Sequence, residues 1–327
     1  MVRAPSVDES TILDRAKALA RFKLGNAFFH VLTFSAAITV LVLLSGVILS
    51  LAIGSIPAIQ TFGFGFLVTE VWNPVTDKYG AAAAIYGTVV TSLIAVVIAI
   101  PVGVGIAIFL SELCPQPLRQ PIGIAIELLA GIPSIIYGIW GLFIFAPLLQ
   151  QYVEPGVIAF FGPIPGLNRV FEGPPYGIGV FTAGFILAIM VLPFISSISR
   201  DVFATVPPVL KESAYGLGFT TREVVGHVVI PYTRTGIIGG VMLALGRALG
   251  ETMAVTFVIG NAHRVSTSIL APGTTISATI ANEFTEAVGT LYTSALVELG
   301  LILFVITFIV LAIARYMLMR IEQKGAH

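Results

Sequence analysis

The apolar stretch from Ala83 to Leu113 reads AAIYGTVVTSLIAVVIAIPVGVGIAIFLSEL and contains no charged residue before Glu112. A helix needs about 20 apolar residues to cross a hydrocarbon layer roughly 30 Å thick, because every backbone polar group must bond within the segment. The stretch satisfies that length. It therefore predicts a membrane-spanning helix, and the rest of the chain is best interpreted around it.

Five further stretches have the same length and apolar character, which predicts an all-α, polytopic membrane protein with six transmembrane helices. With the first stretch, the predicted spans lie near residues 28–53, 83–113, 121–149, 178–199, 237–260 and 291–319. The remaining chain then divides into an N-terminal amphipathic segment, 1–27, a long loop, 200–236, and a short tail, 320–327.

The composition agrees with this class. Of 327 residues, 57% are hydrophobic and 10% charged, whereas soluble domains carry about 25% charged residues. Seventeen basic and seventeen acidic residues cancel, so the charge balance does not indicate a nucleic-acid partner. One cysteine and four scattered histidines lack metal-ligand spacing, and the chain has no GxSxG or HExxH pattern. The sequence therefore predicts neither a metal site nor a catalytic residue.

The basic residues predict the orientation, because loops rich in Lys and Arg stay on the cytoplasmic side. Both termini and the 200–236 loop share one side, which carries Arg3, Arg15, Lys17, Arg21, Lys23, Arg119, Arg200, Lys211, Arg222, Arg234, Arg315, Arg320 and Lys324. The other side carries only Lys78, Arg169 and Arg264. Both termini are therefore predicted to be cytoplasmic, and loops 54–82, 150–177 and 261–290 to lie outside.

The 200–236 loop contains the segment PPVLKESAYGLGFTTREVVGHVVIP. Its prolines, glycines and capping residues predict two short helices that pack against each other. Prolines at 207 and 208 suit the first turn of a helix, and the glycines at 216 and 218 permit a sharp reversal. Thr220 followed by Glu223 has the spacing of a capping box, which starts a second helix. Pro231 is expected to end it.

This segment resembles the EAA loop of ABC importer permeases, whose pattern is Glu-Ala-Ala, three residues, Gly, nine residues and Ile-x-Leu-Pro. The matching residues are Glu212, Ser213, Ala214, Gly218, Val228, Ile230 and Pro231. Ser213 departs from alanine and Val228 from isoleucine. The resemblance implies that the loop fits a cleft on a nucleotide-binding subunit and carries its motion to the membrane helices.

The chain has no GxxxxGK[ST] loop to hold nucleotide phosphates. ATP and Mg are therefore expected on a separate ATPase subunit, and this chain is expected to be a transport subunit rather than an enzyme.

Two further segments, GRALGETMAV at 246–255 and GIPSIIYGIWG at 131–141, resemble phosphate-specific ABC permeases. The stretch ETMAVTFVIGN at 251–261 and the long N-terminus are similar to the PstC type of subunit rather than the PstA type. The resemblance implies a type I ABC importer permease that moves phosphate across the bacterial plasma membrane. It also implies a PstA-type permease partner, two ATP-binding subunits and an external phosphate-binding protein.

Small and charged residues indicate where a substrate path could run. Gly240, Ala244, Arg247 and Glu251 fall within about 60° of arc on the predicted fifth span. Small residues let membrane helices approach closely, so this stripe is expected to face protein. We expect Arg247 and Glu251, one helical turn apart, to form a buried pair that either gates the path or only orders the packing.

The predicted third span carries a similar seam of small residues around a proline. Its members are Glu127, Gly131, Ser134, Gly138 and Gly141. Pro133 frees a backbone carbonyl there, and irregular backbone at membrane depth is tolerated where it is buried or lines a cavity. Ser134 is therefore a candidate path residue, with simple helix packing as the alternative.

Two other functions remain open from the residues alone. The same machinery could carry another oxyanion such as molybdate or sulfate, and a stand-alone ion-coupled carrier would also have six spans. The carrier hypothesis leaves the EAA-like loop unexplained.

Overall fold

A computed structural model describes the backbone of residues 9–325 and the side chains of residues 23 and 25–320. Residues 1–8 of the predicted N-terminal segment and residues 326–327 of the predicted tail lie outside the described residues. Within 9–325 the secondary structure is helical, with an isolated β-bridge between Asn73 and Lys78 and no strand. The predicted all-α class is therefore confirmed.

The helices are numbered along the chain. They are α1 (Glu9–Phe62), α2 (Gly65–Val68), α3 (Ala82–Ile108), α4 (Gln116–Ala130), α5 (Ser134–Trp140), α6 (Ala146–Leu148), α7 (Glu154–Phe161), α8 (Leu167–Val170), α9 (Val180–Ala204), α10 (Pro208–Gly216), α11 (Thr221–Val224), α12 (Ile230–Leu249), α13 (Met253–Val258), α14 (Ile276–Glu283) and α15 (Thr290–Gly325). Wider π-helical turns continue several of them at Phe109–Leu113, Gly141–Phe145, Leu149–Val153 and Val225–Val229.

Six helical runs in the described part of the chain are long and apolar enough to cross a membrane, as predicted. They are Gly25–Phe62, Ala82–Leu113, Ser134–Phe161, Val180–Ala204, Thr221–Leu249 and Thr290–Arg320. Four of these runs match the corresponding predicted spans to within several residues, except that some run on beyond the predicted ends. They are the first, second, fourth and sixth. The third and fifth do not match.

The third run is shifted toward the C-terminus relative to the predicted 121–149. The helix stops at Ala130, and the chain passes through Gly131 and an extended Pro133 (φ −56°, ψ 136°) before a new helix begins at Ser134. Proline has no amide donor and disfavours helical backbone in the residue before it, and here, with Gly131 just before it, the helix breaks. The segment α4 is thus a separate helix.

The fifth run begins earlier and ends earlier than the predicted 237–260. Pro231 does not end the second loop helix, because it occupies the first turn of α12 after the π-helical turn Val225–Val229. Because the run Thr221–Leu249 is continuous, Pro231 lies inside it, where its missing amide donor removes one backbone hydrogen bond. At the other end the helix stops at Leu249, and α13 starts only at Met253.

The chain forms two compact units, residues 1–53 and 54–327. The described part of the first, residues 9–53, is a single helical stretch. In the second, α3 and α9 form the central pair, and their glycines allow close packing: a Cβ on Gly184 would lie 2.7 Å from Ile94, and one on Gly103 2.9 Å from Ile195. In a membrane the hydrophobic effect does not drive helices together, because the lipid tails are as apolar as the side chains. Close packing therefore supplies much of the free energy of helix association.

The helix α12 packs on the same central pair. A Cβ on Gly236 would lie 2.5 Å from the Val202 side chain, and one on Gly240 would lie 2.9 Å from Ile198. Ala244, one turn further, is fully buried. The expectation that this stripe of small residues faces protein is confirmed for its first half.

Candidate functional site

The segment 208–229, which we call the coupling hairpin, has the predicted two-helix form. Helix α10 ends at Gly216, and Gly218 takes the left-handed conformation (φ +89°) that reverses the chain. Thr220 then caps the second helix: its N–H donates to Glu223 Oε2 at 2.8 Å, and the Glu223 N–H donates to Thr220 Oγ1 at 3.4 Å. The capping box is therefore confirmed.

The hairpin has one face toward the protein and one toward its surroundings. Ala214 is buried in an apolar cluster with Phe203 and Val224, whereas Glu212 and Ser213 are exposed. Several large apolar side chains are exposed on the same hairpin: Val209, Leu210, Tyr215, Leu217 and Phe219. An exposed apolar patch around charged residues is typical of a protein-binding surface.

An ion pair fastens the hairpin to the end of α3. Lys211 Nζ lies 2.6 Å from Glu112 Oε1, and the Glu112 side chain is only 8% exposed. Glu112 belongs to the π-helical turn Phe109–Leu113 that continues α3. A displacement of the hairpin therefore acts directly on a membrane helix.

A second ion pair lies near the same end of the molecule. Arg200 of α9 lies 2.6 Å from Glu127 of α4, and it also contacts the neighbouring Asp201 at 3.2 Å. Gly123 leaves room for this contact, since a Cβ there would lie 2.8 Å from the Arg200 guanidinium. Neither pair is evident from the sequence, because the partners lie 99 and 73 residues apart along the chain.

The expected ion pair between Arg247 and Glu251 is wrong. The Arg247 guanidinium lies 5.1 Å from the centre of the Phe194 ring, and Glu251 Oε1 accepts a 3.4 Å hydrogen bond from the Ala254 N–H. Because α12 ends at Leu249, Glu251 is not one turn further along the same helix. Arg247 is exposed on this chain and makes no ion pair with any described side chain.

Ser134 is the first residue of α5, directly after the break in the third span. Helices α5 and α13 pack closely, since a Cβ on Gly138 would lie 3.1 Å from the Ala254 Cα, and one on Gly141 would lie 2.9 Å from Val258. This order of contacts makes the two helices run in the same direction. The breaks before Ser134 and before Met253, which includes Glu251, therefore lie at the same end of that contact.

The opposite end of the second unit, which we call the outer end after its predicted side, comprises residues 63–88, 171–182 and 259–292. Its segments are joined mainly by neutral hydrogen bonds, such as Ile276 N–H to Thr88 Oγ1 at 2.9 Å. The Thr274 and Thr279 hydroxyls lie 2.9 Å apart in the buried interior. These bonds tie α3, the 259–275 segment and α14 together.

Stacked aromatic rings cover this network. Trp72 stacks on His263 at 5.6 Å between ring centres, and Tyr79 stacks on Tyr292 at 5.1 Å. Burial, together with the charge and hydrogen bond of Asp77, raises the pKa of Tyr79 to about 12. Burial also lowers the pKa of His263, even though Glu283 lies 3.6 Å away. Both groups are therefore neutral near pH 7.

The fold and the hairpin define a class of protein, and a comparison with known families agrees. Residues 99–323 match the family described as binding-protein-dependent transport system inner membrane component. The match covers more than half of the chain. The six apolar helices fit a membrane component of a transport system.

Curated relatives narrow this class. The chain is 71% identical over 310 residues to the phosphate transport system permease protein PstC of Mesorhizobium japonicum, covering 95% of each chain. It is 59% identical to the protein of that name from Pasteurella multocida, covering 88% of this chain and 90% of that one. The chain therefore belongs to the PstC family of binding-protein-dependent transport permeases.

Solved structures show the same fold at low sequence identity. The chain is similar to a bacterial alginate ABC transporter in complex with an alginate pentasaccharide-bound periplasmic protein, with a TM-score of 0.59 and 19% identity over 93% of this chain and 97% of that one. It is also similar to the inward-facing MetNI methionine ABC transporter, with a TM-score of 0.53 and 14% identity over 73% and 94%. The predicted importer-permease architecture is confirmed.

Proposed function

We propose that this chain is the PstC-type permease subunit of an ATP-driven importer that moves inorganic phosphate into the cell. The observation that carries the proposal is the 71% identity, over 95% of both chains, to a relative named as a phosphate transport system permease. The hairpin geometry supports it, because a stand-alone carrier has no use for an exposed docking surface at this position.

ATP is hydrolysed on a separate chain in this proposal. ATP and Mg are bound by two copies of an ATP-binding subunit, and a PstA-type permease and an external phosphate-binding protein complete the assembly. Glu212 and Ser213 contact the ATP-binding subunit, while the buried Ala214 and the left-handed Gly218 hold the hairpin in shape. Pro231 lies in the continuous helical run that carries the motion from the hairpin into the membrane.

The topology follows from the basic residues, with both termini and the coupling hairpin in the cytoplasm of a bacterium. A single cysteine at position 222, in a background with Cys114→Ser, tests this orientation. An impermeant thiol reagent should label it only from the cytoplasmic side. Ready labelling from outside would contradict the six-span topology.

Arg247, Glu251 and Ser134 contribute to the substrate path or its gate. Since Glu251 does not neutralise Arg247, the guanidinium is free to exchange the Phe194 ring for a phosphate oxygen pair. The exposed position of Arg247 on this chain leaves it available to a cavity shared with a second permease. The double change Arg247→Gln with Glu251→Gln should therefore abolish uptake while leaving assembly intact; wild-type uptake would exclude the gate.

Reconstituted vesicles provide the central experiment. The chain is assembled with its permease partner, ATPase and binding protein, and phosphate uptake should require ATP on the hairpin side. Glu212→Ala and Gly218→Val should insert normally but lose ATPase association and uptake. Full ATP-dependent uptake by both variants would contradict the coupling role, and preferred uptake of sulfate or molybdate would replace the substrate assignment.

A further inference from the structure

A tyrosine hydroxyl holds the two sides of the break in the third span together. In an unbroken helix the Leu129 carbonyl would accept a hydrogen bond from the N–H of residue 133, but Pro133 has no N–H. The carbonyl accepts instead from the Tyr137 hydroxyl at 2.8 Å, and at 3.3 Å from the Ile132 N–H. Backbone groups freed by a proline at membrane depth need such replacement partners, and Tyr137 supplies the shorter of these two bonds.

Proline alone does not account for the break. Pro101 lies inside α3 and Pro193 inside α9, and both helices continue through them. At Pro133 the chain instead becomes extended, and α5 starts afresh at Ser134. Residues 131–133, which we call the joint, therefore separate two helices, α4 and α5, and the tyrosine hydrogen bond spans the joint.

Helix α4 is anchored to the coupling end. Glu127, two residues before the carbonyl that accepts from Tyr137, lies 2.6 Å from Arg200 of α9. Gly123, one turn earlier, allows this approach, since a Cβ there would lie 2.8 Å from the guanidinium. A displacement of α9 at the coupling end therefore acts on the last turns of α4.

Helix α5 is anchored separately, to α13. A Cβ on Gly138 would lie 3.1 Å from the Ala254 Cα and 2.8 Å from the Phe257 ring. Tyr137, which is 8% exposed, belongs to the same buried apolar cluster as Ala254. The Ala254 N–H in turn donates to Glu251 Oε1 at 3.4 Å. Helix α5 is thus packed with the segment that carries Glu251, whereas α4 is fastened to the coupling end.

We propose that Tyr137 is a positioning residue of the transport cycle: its hydroxyl fixes α5 against α4 and so places Ser134 and the break before α13 in the substrate path. The inference rests on the proposed function, in which Ser134 and Glu251 belong to that path. Tyr137 acts through the two helices that it joins and touches no substrate. One neutral hydrogen bond shifts an equilibrium by only about two- to tenfold, so this bond can hold one arrangement of the joint and still break within a cycle.

The labelling rate of a single cysteine measures the position of α5 directly. Ser134→Cys is introduced in a Cys114→Ser background, and its reaction with a thiol reagent is followed in the purified full-length chain in detergent. Tyr137→Phe removes the hydroxyl and keeps the ring, so the introduced cysteine should react at least about threefold faster. Tyr86→Phe is the matched control, because Tyr86 is half-buried in α3 and its hydroxyl forms no hydrogen bond with the described residues. It should leave the rate unchanged.

A change at the proline tests whether the hydroxyl replaces the missing amide. Pro133→Ala restores an N–H that can itself donate to the Leu129 carbonyl. In that background the further change Tyr137→Phe should alter the labelling rate by less than about 1.5-fold, because the two donors serve the same acceptor. An equal change in both backgrounds would contradict the replacement.

Transport provides a measurement that a purely structural role would not change. In vesicles with the partner permease, the ATPase and the binding protein, Tyr137→Phe should lower the phosphate taken up per ATP hydrolysed by at least about threefold, because α5 is no longer held to α4. The ATPase should remain bound, and the size-exclusion profile should match that of wild type. Tyr86→Phe should keep the wild-type ratio.

The outcomes separate the role of Tyr137 from the proposed function. The positioning role is overturned if Tyr137→Phe and Tyr86→Phe label alike, or if Tyr137→Phe leaves the uptake per ATP unchanged. Uptake by the wild-type assembly with equal labelling in the two variants removes only the positioning role. Faster labelling in Tyr137→Phe, without ATP-dependent phosphate uptake by the wild-type assembly, removes the importer function and keeps the hydroxyl as the group that holds the joint.

Discussion

The two ends of the second unit are held together by different forces. At the coupling end, ion pairs between long side chains, Lys211 with Glu112 and Arg200 with Glu127, join the elements. Gly216, Gly218 and Gly226 there meet nothing within 4 Å. At the outer end, glycines bring backbone against backbone, and rings and neutral hydrogen bonds fill the gaps. The difference predicts that a partner displaces the coupling end more easily than the outer end.

A substitution at Gly87, where the α3 backbone lies against the backbone of Thr274, should give the largest loss of stability. A Cβ there would lie 1.8 Å from the Thr274 carbonyl oxygen, and neither backbone can move independently of its helix or loop. Gly87→Val should therefore lower the free energy of unfolding by at least about 4 kcal/mol, which is an exceptional loss for one substitution. Thermal unfolding in detergent and the yield of monodisperse protein measure it.

Gly105→Val is the matched control on the same helix. Gly105 is also in α3, but a Cβ there would meet nothing within 4 Å. The control should remain close to wild type or gain slightly, because valine has a higher helix propensity than glycine. Equal losses in the two variants would contradict the claim that the outer end is closed by backbone contact.

Breaking the Lys211–Glu112 pair should give the next largest effect, confined to the coupling end. Lys211→Met leaves the nearly buried Glu112 carboxylate without a partner. Removing one partner of a fully buried ion pair costs about 3–5 kcal/mol. Because the Lys211 side chain is 21% exposed, we expect a smaller loss, about 2 kcal/mol, in the stability of the hairpin. Hydrogen exchange of the amides in α10 should report it.

Two controls isolate the pair from the loss of charge. The double variant Lys211→Met with Glu112→Gln removes both charges and should recover most of the protection. Arg222→Met removes a basic residue that is exposed on the second helix of the hairpin and should change little. If the single Lys211 variant exchanged like wild type, the pair would not hold the hairpin to α3.

The sequence predicted the local features of the fold and missed the long-range ones. Six spans, the capping box at Thr220 and the reversal at Gly218 depend on residues within a few positions of each other, and all are present. The prediction that Pro231 ends the second loop helix is wrong, because a proline either ends a helix or lies inside one that continues. The π-helical turn at Val225–Val229 decided between these possibilities.

The candidate site shows the same limit. Arg247 and Glu251 were expected to pair because a continuous helix was assumed, and the break after Leu249 separates them. A groove at the outer end is lined by Glu172 and by Arg264 and Ser268, which lie on a loop about 90 residues further on. Backbone hydrogen bonds join the two loops, and no spacing in the sequence carries that information.

A smaller effect is expected at the turn of the hairpin, where shape rather than packing matters. Gly218 has φ +89°, and a Cβ there would meet nothing, so Gly218→Ala tests backbone conformation alone. The left-handed conformation costs an L-residue roughly 1–2 kcal/mol. Gly216→Ala, two residues earlier at the last position of α10 and with equal space, should instead stabilise by up to about 0.5 kcal/mol. Faster hydrogen exchange of the hairpin in Gly218→Ala and slower exchange in Gly216→Ala would support a left-handed conformation at Gly218. Changes in the same direction in both variants would contradict it.

The smallest expected effect is a pH dependence confined to the outer end. Burial holds the pKa of His263 below its unfolded value of about 6.5, despite the attraction of Glu283 at 3.6 Å. Below pH 6.5 the unfolded chain binds the proton more readily than the folded one, so stability falls as the pH drops toward the lower folded pKa and levels off beneath it. His263→Phe keeps a ring against Trp72 but cannot titrate, so it should lose this slope. Acid protonates carboxylates throughout the protein, so wild type and variant are compared at each pH. Hydrogen exchange around Trp72 should differ increasingly between the two proteins from pH 7 to pH 5. Hydrogen exchange of α10 should change identically in both. The same slope in wild type and His263→Phe would show that His263 does not titrate with folding, and the outer end would then be held by its glycine contacts and hydroxyl bonds at every pH.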